Sequence, residues 1–336
     1  MHTSFTTKAA CLFLALICFR PIKVVLADGN KAEAEKRLQM AQQLTDIRES
    51  NSQPFRLSAI VQLFDESGRA QKGTYELAWE KSTQWKDELK FPDFSQSRLV
   101  NGERLFISRN PNSLSIAVFR LLRLLEFPNL VRQLPGETLF EHRKAGKNTG
   151  REISIDFLFH NRVLKTLYLD ADSSVPTRID TSNKGLVYVF QNYSVFGGYQ
   201  FPRVLIAQRL GKALLEVQVQ ELISTSFTQD SFAPPDGPSF RWCPNPTPVK
   251  MKSGEGYLSI PWPLRGEPIR RPVAIYGIMG PDGQWHNVTV VKSGGKEVDS
   301  FWTSFMISQG FTPAMCGTEP VMQEIVEEFG EFLRPY

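Results

Sequence analysis

From Pro54 onward apolar side chains recur at every second position, a rhythm suited to strands that bury one face. Phe55, Leu57, Ala59 and Val61 set it. Further strands are predicted over residues 74–80, 84–91, 97–100, 104–108, 152–159, 163–169, 175–180, 186–193, 199–208 and 212–222. The breaks between them carry turn chemistry: Glu66-Ser67-Gly68, Pro92-Asp93, Asn101-Gly102, His160-Asn161-Arg162, Ser182-Asn183-Lys184-Gly185 and Leu210-Gly211. Consecutive strands joined by such short turns pair antiparallel. Two stretches depart from period two. Residues 31–49 repeat Ala34, Leu38, Ala41, Leu44 and Ile47 every three or four positions, an amphipathic helix. Residues 114–125, with a short piece around Leu130, read as helices set into the run of strands. The predicted fold class is therefore α+β, with a large, curved, half-barrel-like antiparallel sheet wrapping packed helices.

The first 27 residues read as an export signal. Lys8 gives a basic start, and the apolar run over residues 9–19 is too short to span a bilayer. Arg20, Pro21 and Lys23 follow, and Val25-Leu26-Ala27 sets small or β-branched side chains where a signal peptidase reads them, which predicts cleavage between Ala27 and Asp28. The alternative, an uncleaved anchor over residues 9–27, would bury Arg20 and Lys23 at a few kcal/mol each. Cys18 follows Ile17 rather than a small residue, which argues against lipid attachment. Lys8, Arg20 and Lys23 leave with the signal, so the formal charge falls from +4 to +1. With no Lys/Arg-rich block interleaved with aromatics remaining, nucleic acid is not expected as a partner. The expected location is the periplasm.

Pro234-Pro235-Asp236-Gly237-Pro238 breaks the strand pattern, and Pro244, Pro246, Pro248, Pro261 and Pro263 continue the break. The chain divides accordingly into a β domain over residues 28–236, a Pro-rich connector over 237–270 and a small unit over 271–336. In the last of these, residues 273–278 and 285–291 are predicted strands joined by Gly280-Pro281-Asp282-Gly283. Residues 298–307 form a helix and 321–329 a third strand, giving the order ββαβ. That order, with Asp282-Gly283, Ser293-Gly294, Val298-Asp299, Phe311-Thr312-Pro313-Ala314 and Gly317-Thr318-Glu319-Pro320-Val321, resembles the C-terminal domain of TonB. Gln309-Gly310, where that family often has Trp and a basic residue, and the added cysteine of Met315-Cys316 depart from it. Residues 31–225 resemble the LolA-like and LolB-like lipoprotein carriers in layout: an N-terminal helix, long alternating strands bearing Trp79 and Trp85, and helices in mid-sheet.

The two resemblances imply different functions. The TonB resemblance implies a final strand at a sheet edge onto which an envelope or outer-membrane protein adds a strand; its counterpart here carries Val321, Gln323, Ile325, Glu327 and Phe329. Glu324, Glu327 and Glu328 can equally serve to keep such an edge from aggregating. The carrier resemblance implies a lipid or lipoprotein held in the concave face, lined by Leu57, Leu77, Trp79 and Phe91; the alternative there is an ordinary filled core.

Catalytic chemistry is not expected. Beyond the signal the cysteines are Cys243 and Cys316, a natural disulfide pair in an exported protein, worth about 4 kcal/mol in the chain-entropy model. The alternative is two buried thiols. His142, His160 and His286 have no neighbours at metal-ligand or catalytic spacing. Asp170-Ala171-Asp172-Ser173-Ser174 looks like the start of a calcium loop, yet lacks Gly at the sixth position and Glu at the twelfth, so a solvated hairpin is the reading. There is no G-x-S-x-G elbow and no P-loop. No cofactor or metal is expected, and binding rather than catalysis is the predicted role.

Overall fold

The computed structural model describes residues 31–48, 52–134, 136–144, 152–181, 185–251, 272–308 and 310–329. The export signal with its cleavage site, and the later part of the connector, lie outside these residues. Helix α1 (Lys31–Thr45) comes first, then strands β1 (Phe55–Phe64), β2 (Ala70–Lys81), β3 (Gln84–Phe91), β4 (Phe94–Asn101) and β5 (Arg104–Asn110). Helices α2 (Ile116–Leu125) and α3 (Phe127–Leu130) follow. Strands resume as β6 (Thr138–Lys144), β7 (Glu152–Phe159), β8 (Arg162–Asp170), β9 (Pro176–Thr181), β10 (Leu186–Phe196), β11 (Tyr199–Arg209) and β12 (Lys212–Ser224).

These strands form one antiparallel sheet in the order β5-β4-β3-β2-β1-β12-β11-β10-β9-β8-β7-β6. The first meander runs from the centre to one edge, the chain crosses to the opposite edge through α2 and α3, and the second meander returns to the centre. There β12 closes on β1, with Leu57 opposite Leu222 and Val61 opposite Val217. An edge-to-edge crossing puts α2 over one face of the sheet. Ser115 caps its start, its Oγ accepting from the Val118 amide, and Val118, Leu121, Leu122, Leu124 and Leu125 are buried. Along β1 and β2 the buried positions alternate and include Phe55, Leu57, Val61, Tyr75, Leu77 and Trp79, all in one continuous core with the leucines of α2. Helix α1 lies against β6 and β11 and is tied to β6 by Arg37, whose Nε donates to Glu141 at 3.0 Å. The large curved antiparallel sheet with packed helices is thus the architecture that the alternation implied. β6 is an addition to the strands predicted from sequence, and so is β13 (Phe240–Arg241), which pairs with β5 and makes the start of the connector a thirteenth strand of the sheet.

The C-terminal residues add β14 (Lys250–Met251), β15 (Val273–Met279), β16 (Trp285–Lys292), α4 (Lys296–Ser308), β17 (Phe311–Thr312), β18 (Ala314–Cys316), β19 (Glu319–Val321) and β20 (Gln323–Phe329). β16, β15 and β20 form a three-stranded sheet with β15 in the middle, β14 pairs with β17, and β18 pairs with β19. The stretch predicted as one strand over 321–329 is two elements. Gly317, at φ 62°, turns residues 319–321 back onto 314–316, so Val321 is buried beside Cys243 and Ala314 and is not part of the edge strand. Alternate side chains of β15 serve two cores: Val273 and Ile275 pack with Trp302 and Met306 of α4, while Ala274 and Tyr276, with Val326 of β20, join the core of the large sheet.

Candidate functional site

β20 is the element through which the small sheet meets the large one. Glu324, Val326 and Glu328 share a face by strand period, and that face turns toward α2 and the large sheet. Arg109, at the end of β5, grips Glu324 with two parallel bonds, Nη1 to Oε1 at 2.7 Å and Nη2 to Oε2 at 2.8 Å, and the Tyr276 hydroxyl donates to Oε1 at 2.6 Å. Gln96 accepts from Arg109 Nε at 2.6 Å, fixing the guanidinium plane. Glu328, with a side chain only 3% exposed, accepts from Arg120 of α2 at 2.7 Å and Arg209 of β11 at 3.1 Å, and Lys292 stands 3.8 Å away. Burial alone would raise both carboxyls. For Glu324 the hydrogen bonds and charge of Arg109 and the Tyr276 hydroxyl outweigh it; for Glu328 the charge of Arg120 and the bond from Arg209 do so, and both are held below the usual glutamate value. These glutamates therefore dock the small sheet and do not guard an exposed edge.

A second latch holds the far end of α2. Arg48 donates to the Leu125 carbonyl at 3.1 Å, Arg98 reaches Glu126 at 3.2 Å while chelating Asp87, and Lys165 donates to the Leu130 and Arg132 carbonyls at 3.3 and 2.7 Å. Burial lowers the Lys165 ammonium to about 8.

Beside the start of α2 the two sheets leave a notch of about 250 Å³. Leu63, Phe91 and Phe94 from the large sheet, Val118 of α2, and Val290 and Val291 of β16 make it apolar. Gln71, Asp93 and Ser113 stand among its polar lining, and Gln71 Nε2 donates to Asp93 Oδ1. Gly73 makes room for one wall, since a Cβ there would stand 2.6 Å from the Phe91 ring and 2.4 Å from the Lys90 carbonyl oxygen. A second hollow, about 260 Å³ between α1 and the segment around Arg132, is lined mainly by polar residues such as Glu35, Gln39 and Gln42.

The residues singled out from sequence are distributed as follows. Leu57, Leu77 and Trp79 lie in the packed core beneath the helices, and of the four lining residues expected for a lipid, Phe91 reaches the notch. Gln323 accepts from the Val249 amide, Phe329 stacks on Trp302 with ring centroids 4.4 Å apart, and Ile325 and Glu327 are partly buried. β20 pairs with β15 and with no other strand among the described residues. Cys243 and Cys316 form a disulfide, 5.8 Å between Cα atoms. Asp170 Oδ1 accepts from the Asp172 and Ser173 amides and the Ser173 hydroxyl, closing a turn on itself. His160 stacks edge-on against Phe159, His286 contacts exposed Asp282, and the side chain of His142 lies outside the described residues. Among the described residues no cluster of three or more His, Cys, Asp or Glu is placed to hold a metal. Sequence reasoning missed the arginines that receive Glu324 and Glu328 and most of the notch. The alternation of Glu324, Val326 and Glu328 signalled a shared face, but nothing local signals partners more than a hundred residues away.

No protein-family model matches the chain, and no curated protein does, so the TonB resemblance rests on its motifs alone. Solved structures similar to it include a LolA superfamily protein from Nitrosomonas europaea, 12% identical over 60% of this chain and 97% of that one, TM-score 0.42. A DUF1329 family protein from Desulfovibrio piger is 9% identical over 61% and 97%, TM-score 0.45. The MucA/MucB complex of Pseudomonas aeruginosa gives 13% identity over 84% and 98%, TM-score 0.26. At these identities and scores no activity passes from those proteins to this chain.

Proposed function

We propose that this chain is a non-catalytic binding protein of the cell envelope that carries an apolar ligand, a lipid or the acyl part of a lipoprotein, between its large sheet and the helix laid across it. The observation that carries this reading is the way the core is covered. One side of it is a continuous sheet, and the other is covered by short helices, of which the ten-residue α2 is tied at its far end by Arg48 and at its flank, through Arg120, by the docked small sheet. A helix so attached can shift off the sheet as an acyl chain takes over the apolar contacts of its buried leucines. The notch at its start, walled by Phe91, Phe94 and Val118, is where such a chain would enter. Native mass spectrometry of protein purified from the envelope should find co-purifying lipid or acyl mass, and the uncharged dye phenylnaphthylamine should brighten on addition. A clean apo mass together with no dye uptake would remove the carrier reading.

A second reading is favoured by one feature: among the described strands β20 pairs with β15 alone, and strand addition by an envelope protein would take place along its other side. Pulldowns from envelope extract with the full chain and with a chain ending after Pro320 should differ. Identical partner sets would remove this reading.

A further inference from the structure

We propose, resting on the carrier reading, that the notch selects amphiphiles by head charge, receiving the head-proximal part of an apolar tail that bears an ammonium group, with Asp93 as the specificity-determining residue. Asp93 is the one charged side chain among the residues that line the notch. It lies in the tight turn between β3 and β4, where Phe91 and Phe94 pair, so the carboxylate and two of the apolar walls are fixed by the same four residues. Gln71 holds Oδ1, and Oδ2 has no hydrogen-bond partner among the described residues. The start of α2 also faces the notch, and a helix N-terminus favours anions. There, however, one amide, that of Val118, is taken by Ser115 Oγ, and the whole unit charge of Asp93 outweighs the roughly half-unit charge of a helix end, so the carboxylate sets the sign. A volume of about 250 Å³ is below that of a whole-ligand pocket, which limits the notch to one end of one tail. Its walls come from both sheets, so occupancy also braces the docking between them. The chain carries a formal charge of +4 with its signal and +1 without it, so any non-specific electrostatic bias would favour the opposite head.

The test is calorimetric titration of the full protein with decyltrimethylammonium, decyl sulfate and decyl maltoside, each below its micelle concentration. The ammonium probe should bind roughly three- to fivefold more tightly than the sulfate, the worth of one exposed ion pair. Asp93→Asn should erase the preference and Asp93→Lys invert it, both at the surface where folding is not at stake. Ser113→Trp, in the bend before α2, should fill the notch and weaken all three probes. Equal binding of both charged heads by the unaltered protein, an unchanged preference in Asp93→Asn, or undiminished binding in Ser113→Trp would each overturn the inference while leaving the carrier reading standing. Failure of all three probes, with no co-purifying lipid, would take down both.

Discussion

The large sheet and the C-terminal unit reach stability by different routes. The large sheet encloses one continuous core running from α1 to β12, with Phe55, Phe127, Phe157 and the leucines of α2 all buried in it. The C-terminal unit has small cores of its own, Val273, Ile275, Trp302 and Met306 under α4 and Ala314 and Val321 beside Cys243, and finishes its burial by pressing Ala274, Tyr276 and Val326 into its neighbour's core. A small sheet with one helix buries too little apolar surface to stand easily alone. Buried ion pairs and a covalent closure supplement it: Arg109–Glu324, Arg120–Glu328 and the Cys243–Cys316 bridge. The small unit thus takes part of its burial from its neighbour and part of its closure from the bridge.

The largest expected effect is on the bridge. Replacing Cys243 and Cys316 together by Ser should cost the C-terminal unit about 4 kcal/mol and leave the large sheet's transition in place, read by calorimetry. If both transitions fall equally, the two regions are one cooperative unit and the contrast is wrong. Next, Glu328→Gln removes the buried carboxylate that Arg120 and Arg209 share, which should cost about 3 kcal/mol of docking. Hydrogen exchange should then quicken at β15 and β20 and stay slow at β1 and β12.

Acid should do the same more gradually. Glu324 and Glu328 have folded values below the ordinary 4.5, so the unfolded or undocked state binds more protons as pH falls. Their contribution is complete above that ordinary value and is lost as pH drops through the lowered one; exchange at β20 followed from pH 6 downward should rise below about 4.5 and not before. An onset near neutrality would point to other groups. The smallest effect belongs to the exposed Lys31–Glu35 pair on α1, where Lys31→Ala should change stability by about 0.4 kcal/mol or less.

Much of the local structure was legible. The predicted strands over 84–91 and 152–159 coincide with β3 and β7, and most others differ by a few residues at their ends, because burying one face of a strand imposes its rhythm on the sequence itself. The run VAIYGIM in β15, apolar at nearly every position, already stated that both faces are covered, as they are by α4 and the large sheet. β6 is hidden in the sequence because TLFEHRK alternates weakly, and Val321 falls in the predicted last strand because the glycine turn that folds it away lies outside any periodicity.

What the amino-acid order settled by itself is which segments are strands or helices and which side of each turns inward, since both depend on neighbours one to four positions apart. What the tertiary structure alone decided is who meets whom: β1 against β12, Arg109 against Glu324, Arg120 and Arg209 against Glu328, and Val291 against the large sheet's core. A charge in a sequence announces that it needs a partner, but only closure of the chain over a hundred or more residues brings one within 3 Å.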